Sequence, residues 1–220
     1  MGKKVMVLGS TGLIGSELVK ILLKEENIEQ VVCPVRKVKN LTNPKAKEIE
    51  IDFKNRDALN KLPEVEIIYC CLGTTIKKAG SKENFKFVDY ELPLKFAQWG
   101  IKNNVHTYAI VTAMGADAKS FIFYNKVKGE VEQELRNLNF ENLNIFRPSL
   151  LLGERDETRL GEKVAEKLFN LINPLMKGSL KKYAAIKGSD VAKAMVLNNK
   201  KGLNIFLSDE IQELADNSPM

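Results

Sequence analysis

Apolar positions along this chain switch between two periods. Lys4–Gly9 (KVMVLG) is a short apolar run ending in glycine, and Leu13–Leu23 then repeats apolar residues at helical spacing through Leu13, Ile14, Leu18, Val19 and Leu22. The first reads as a strand and the second as an amphipathic helix. Gln30–Val35 reads as a second strand and the alternating Ala46–Asp52 (AKEIEID) as a third. Val65–Leu72 (VEIIYCCL) is continuously apolar, as expected of a strand covered on both faces. Lys82–Asn103 is a long helical stretch in which Pro93 predicts a kink or break. His106–Thr112 follows as a fifth strand, Phe121–Leu138 as a charged amphipathic helix, and Leu143–Arg147 as a sixth strand stopped by Pro148. Gly161–Ile172 reads as helical and breaks at Asn173-Pro174. Asp190 is expected to N-cap Val191–Leu197, Asn204–Leu207 is a last strand, and Ser208, with Glu210 nearby, is expected to cap a final helix.

The order β-α-β-β-β-α-β-α-β predicts a doubly wound, mostly parallel α/β sheet of Rossmann type with right-handed crossovers. At 220 residues and 44% hydrophobic, the chain suits one domain over 1–220 with helices on both sheet faces, its substrate-side elements mainly within 150–190. No run approaches the roughly 18 apolar residues that span a bilayer. Met1-Gly2-Lys3-Lys4 leads straight into a strand with no apolar leader, so a cytoplasmic protein with no membrane partner is expected. The three cysteines, Cys33, Cys70 and Cys71, form no CxxC or Cys/His spacing, so they read as free thiols and no metal is expected. Cys70 and Cys71 are adjacent in one strand and should face opposite sides of the sheet. The net charge of +6 is scattered in lysine pairs without interleaved aromatics, which suits a solvated surface and an anionic ligand rather than nucleic acid.

After the first strand comes Gly9-Ser10-Thr11-Gly12-Leu13-Ile14-Gly15, a G-x-x-G-x-x-G spacing. Gly9 permits the tight turn, Gly12 lets backbone approach a pyrophosphate, and Gly15 lets the helix pack closely on the sheet. The helix then offers its N–H groups and positive dipole end to phosphate. An NAD site places an acid after the second strand, whereas this strand ends Val35-Arg36-Lys37. Arg36 and Lys37 suit a 2′-phosphate, so NADP(H) is preferred over NAD(H). Asp52, after the third strand, is a carboxylate candidate for the adenine amine.

Tyr124-Asn125-Lys126-Val127-Lys128 is a Y-x-x-x-K that puts Tyr124 and Lys128 on one face of the helix after the fifth strand. A nearby ammonium favours the phenolate of a tyrosine, which equips such a pair for acid–base work on a carbonyl. The glycine turn and Y-x-x-x-K together make the chain resemble the atypical short-chain dehydrogenase/reductases. Within them it resembles the Tat-interacting oxidoreductase family, through Cys70–Thr75 with Lys78-Ala79-Gly80, Met114–Asp117, Tyr124–Glu132, Phe146-Arg147-Pro148 and 155–162. That resemblance implies an oxidoreductase acting on a small carbonyl or alcohol, with Tyr124 as acid/base and Lys128 also holding the nicotinamide ribose. It implies that Leu72 and Gly73 line the adenosine side and Leu151 the nicotinamide end. Arg159, or alternatively Arg155, would meet a phosphate or acidic substrate. Relatives carry two serines after the fifth strand where this chain has Thr112-Ala113, so Thr112 is the candidate to bond the carbonyl. Asp89 stands where the superfamily has an asparagine. These departures keep open a second class, an NADPH-binding regulator without turnover and with a protein partner. The chain is expected to be a monomer or a homodimer, with the helices at 82–103 and 121–138 as the pairing face by analogy.

Overall fold

A computed structural model describes residues 2–39, 41–152, 178–198 and 200–217. Among them lie nine strands: β1 (Lys3–Leu8), β2 (Ile28–Val35), β3 (Ala46–Glu50), β4 (Ile67–Cys70), β5 (Thr107–Val111), β6 (Asn142–Arg147), β7 (Leu151–Leu152), β8 (Ile186–Lys187) and β9 (Gly202–Leu207). Seven form one sheet in the order β3-β2-β1-β4-β5-β6-β9, and every neighbouring pair is parallel. The strand order reverses between β1 and β4. In open parallel sheets such a reversal opens a crevice at the strands' C-terminal ends. β7 and β8, too short to show a period in the sequence, form a separate parallel pair through Leu151↔Ile186 and Leu152↔Lys187.

Alternation within the strands divides the core. Val5 and Val7 face a layer built by α1 (Leu13–Leu22), α6 (Gly188–Leu197) and α7 (Ser208–Asp216). Met6 and Leu8 face α4 (Leu92–Lys102) and α5 (Phe123–Asn137), where Phe96, Trp99, Val131 and Leu135 are buried. Cys70 lies in the second layer and Cys71 packs against the first, so the adjacent thiols do point to opposite faces. All three cysteines are free.

The long helical stretch is interrupted before its proline. After α2 (Ile76–Ala79) and α3 (Lys82–Lys86), residues Phe87–Glu91 widen into a π turn that runs into α4. Pro93 has no N–H for the carbonyl of Asp89 four residues back, and its ring crowds that carbonyl. A π turn at this point moves the mismatch out of the α ladder. The Pro93 carbonyl instead accepts the buried Tyr108 hydroxyl at 2.9 Å.

Two capping expectations are corrected. α6 begins at Gly188 with Lys187 as its N-cap, so Asp190 lies inside the first turn, where a carboxylate still suits the helix dipole. α7 is capped from Leu207, whose N–H donates to Glu210 at 2.8 Å. The buried Ser208 hydroxyl accepts from the Ser149 N–H at 2.8 Å, tying the end of β9 to the turn after β6. The helix expected at Gly161–Ile172, the Asn173-Pro174 break, Arg155 and Arg159 lie outside the described residues.

Candidate functional site

The turn after β1 forms one wall of the crevice. Gly9 has φ +76°, and a Cβ there would meet the Cys71 carbonyl oxygen at 2.8 Å and the Leu72 nitrogen at 3.2 Å. The turn therefore lies directly against the chain leaving β4. A Cβ on Gly15 would sit 2.2 Å from the Gly9 carbonyl oxygen, so only glycine lets α1 start this close to the turn. Gly12 caps α1 by backbone alone: no side chain bonds the first N–H groups and no acid stands in the first turn. That leaves the helix end electrically and sterically open to an anion. Ser10 and Thr11 complete the turn, Ile14 is buried in the core, and Leu13 packs against Gly188 at the start of α6. Beneath the turn, burial pushes the Cys33 thiol up to about 11, against a smaller lowering by the Ser10 hydroxyl and a further raising by Glu48.

The neighbouring strand ends supply charge. Arg36 and Lys37 are exposed immediately past β2, and no acid follows them before Asn40. Asp52 lies beyond the end of β3 and is exposed, with its Oδ1 accepting the Lys54 N–H at 2.9 Å.

The second wall comes from α5 and the π turn. Lys128 and Asp89 are an ion pair, Nζ to Oδ1 2.8 Å, with side chains 4% and 0% exposed. Asp89 Oδ2 accepts the Thr74 N–H at 3.0 Å, which ties the loop after β4 to the same carboxylate. At that distance the Lys128 ammonium is a charge-assisted partner of Oδ1, so each Asp89 oxygen is engaged. Burial pushes the Asp89 carboxyl up, and the Lys128 ammonium and the Thr74 N–H only partly pull it back. Burial works against the Lys128 ammonium, but Asp89, with Tyr124 adding to it, holds it above the ordinary lysine value. Tyr124 is half-buried one turn before Lys128, its ring 5.6 Å from that of Phe85.

Gly73 links the two walls. A Cβ at this position would lie 3.6 Å from Asp89 Oδ1 and 4.0 Å from Lys128 Nζ. The Leu72 backbone abuts the glycine turn, and the next residue, Gly73, lies beside the Lys128–Asp89 pair. Leu151 is half-buried in β7 and packs against the α1 side of the core.

Thr112 does not join this group. It is buried, and its hydroxyl donates to Glu132 Oε1 at 2.6 Å. In this arrangement its single proton is directed at Glu132 rather than toward Tyr124 and Lys128. Glu132 is itself buried one turn after Lys128. Both its oxygens accept from Arg147, with Nε at 3.0 and 3.2 Å and a short contact to Nη2, and Arg136 approaches at 3.6 Å. This network clamps the ends of β5 and β6 to the helix that carries Tyr124 and Lys128. Its signal is present in the sequence: Val127, Lys128, Val131, Glu132 and Leu135 fall on the buried face of α5, so two charges at those positions must find partners.

Comparisons with known proteins bear on the family and the fold. Protein FMP52, mitochondrial, of Candida albicans is 32% identical over 212 residues, covering 93% of this chain and 91% of its own. Protein HTATIP2 of Rattus norvegicus is 33% identical over 171 residues, covering 76% of this chain and 70% of its own. Among solved structures, the UDP-glucose 4-epimerase of Thermotoga maritima, with UDP-glucose, matches with a TM-score of 0.68 at 19% identity, covering 97% of this chain and 81% of its own. The Bordetella bronchiseptica enzyme WbmH, in complex with NAD+, matches at 0.69 and 18% identity, covering 98% and 80%. These two likenesses carry the fold alone, a parallel α/β sheet of Rossmann type. The expectation of a cytoplasmic location is corrected by the relatives' names, since the Candida albicans, Debaryomyces hansenii and Emericella nidulans proteins are all named mitochondrial. The HIM1 family pattern matches residues 27–182, and with these relatives it establishes that the chain belongs to the HIM1 family, alongside FMP52 and HTATIP2.

Proposed function

We propose that this protein is an NADP(H)-dependent oxidoreductase that reduces a carbonyl, or oxidises the matching alcohol, on a small molecule. The observation that carries this reading is the glycine turn that leaves the N-terminus of α1 without a side-chain cap or an acid in its first turn, on the same crevice as Gly73 and Lys128. A dinucleotide suits that arrangement: its pyrophosphate meets the open N-terminus of α1 and its nicotinamide half reaches Tyr124 and Lys128. The NAD+ named with the Bordetella structure supports a dinucleotide, and Arg36 and Lys37, in place of an acid, favour the 2′-phosphate form. When bound, the cofactor supplies or accepts hydride. The residues do the rest: the Tyr124 hydroxyl gives a proton to the carbonyl oxygen, and Lys128 holds the adjoining ribose and supplies positive charge beside the phenol.

The Thr112–Glu132 bond favours one rival. With that hydroxyl committed and alanine at 113, no serine or threonine from the end of β5 is free to polarise a carbonyl. The rival is an NADPH-binding protein without turnover that acts on a protein partner. Consumption of NADPH with a panel of aldehydes and ketones separates the two. The oxidoreductase reading expects turnover that falls about 10²–10⁴-fold in Tyr124→Phe while NADPH still binds. Tight NADPH binding with no turnover on any carbonyl supports the rival.

A further inference from the structure

Two acids stand beside the basic end of β2 without neutralising it. In Glu48-Ile49-Glu50 the two-residue period of a strand puts both carboxylates on one face of β3, the edge strand of the sheet. The parallel register pairs them with Cys33 and Val35, just before Arg36 and Lys37. Yet among the described residues Arg36 and Lys37 make no ion pair. Glu48 Oε2 instead accepts the N–H groups of Lys39 at 3.0 Å and Leu41 at 3.1 Å, and Glu50 Oε2 accepts that of Val38 at 3.4 Å. Backbone N–H groups held by a carboxylate make charge-assisted bonds. The chain that follows Arg36 and Lys37 is therefore drawn back onto β3.

We propose that Glu48 is a positioning residue for cofactor selection: by holding the Lys39 and Leu41 N–H groups it fixes the chain after β2 and keeps Arg36 and Lys37 at the strand end, without acidic partners, for a 2′-phosphate. The backbone of the two cations is bracketed, by the β2–β3 ladder before them and by Glu48 after them. Cations held in place lose less conformational entropy when they grip a phosphate, which is where preorganisation adds affinity. A carboxylate this close to an anion site would otherwise weaken it by like-charge repulsion. The side chain's two possible effects, position and charge, thus have opposite signs. Alanine at 48 removes both the acceptor and the charge. Glutamine removes the charge but keeps the length and an acceptor oxygen for the two N–H groups.

This inference rests on the NADP(H) reading, and the test keeps the two apart. NADPH and NADH are titrated calorimetrically into the full chain as wild type, Glu48→Ala and Glu48→Gln, and into Arg36→Ala/Lys37→Ala with and without Glu48→Ala. In Glu48→Ala, NADPH affinity is expected to fall about three- to tenfold, less than the outright loss of a hydrogen bond to a charged group. NADH affinity should stay within about twofold, which also reports an intact fold. Glu48→Gln should stay within about twofold of wild type for both cofactors, because the N–H groups keep their acceptor. In the background without the two cations, Glu48→Ala should no longer change NADPH affinity. Tighter NADPH binding in both Glu48 variants would make Glu48 a nearby charge only and overturn the proposal. Equal weakening of NADPH and NADH, or weakening that persists without Arg36 and Lys37, overturns it as well. Wild type that binds NADPH no better than NADH overturns the 2′-phosphate reading, and the role of Glu48 with it.

Discussion

Replacing Glu132 by glutamine removes one charge from the centre of the clamp without changing its shape. The amide oxygen still accepts the Thr112 hydroxyl, so that bond survives; what disappears is the counter-charge to Arg147. Removing one partner of a buried ion pair costs about 3–5 kcal/mol, because the remaining charge is left without compensation. The Arg147 side chain is 20% exposed and can recover some hydration, which puts the expected loss at about 2–4 kcal/mol. For a chain of this size each kcal/mol moves Tm by roughly 2–4 °C, so calorimetry should record a fall of roughly 5–15 °C. Arg136 is the internal control. It touches the same carboxylate at 3.6 Å from a side chain 42% exposed, so Arg136→Ala should cost about 1 kcal/mol or less. A Tm change under 2 °C for Glu132→Gln, or a larger change for Arg136→Ala, would refute the reasoning that burial makes Glu132 the keystone.

Other consequences follow from the same geometry. Thr112→Val should destabilise by about 1–3 kcal/mol by urea titration, with any turnover per folded molecule changed little; an intact fold with a hundredfold loss of kcat would return Thr112 to the substrate. Cys33 titrates at about 11 in the fold against about 8.5 when unfolded, so it contributes stability below pH 8.5 that is lost as pH rises through 11. Wild type should therefore lose up to about 3 kcal/mol relative to Cys33→Ala between pH 8.5 and 11. A pH-independent difference between the two would show that the thiol is not shielded as described.

The sheet was legible because each of its strands is an apolar or alternating run closed by turn residues, and parallel pairing follows from the helices between them. The phosphate turn was legible because three glycines at fixed spacing stand between a strand and an amphipathic helix. Strand limits shifted where flanking residues are apolar but leave the ladder, as at Val65 and Leu72, which bracket Ile67–Cys70. The β7–β8 pair was invisible because two residues carry no period. The Asp89–Lys128 and Thr112–Glu132 contacts join residues 39 and 20 positions apart, which no local pattern reports. Asp89 stood out only as an acid in an unusual place, and its partner depended on a π turn created by a proline four residues later. Ser208 was misread because a serine at a helix start resembles a cap from sequence alone, while a tertiary neighbour, Ser149, claims its hydroxyl.

The central claim is that the glycine turn and the basic end of β2 bind NADP(H). Calorimetric titration of NADPH and NADH, side by side, into wild type and Arg36→Ala tests it most directly. NADPH should bind more tightly than NADH to wild type and fall toward the NADH level in the variant. Equal affinity for both cofactors, or binding of neither, would contradict it.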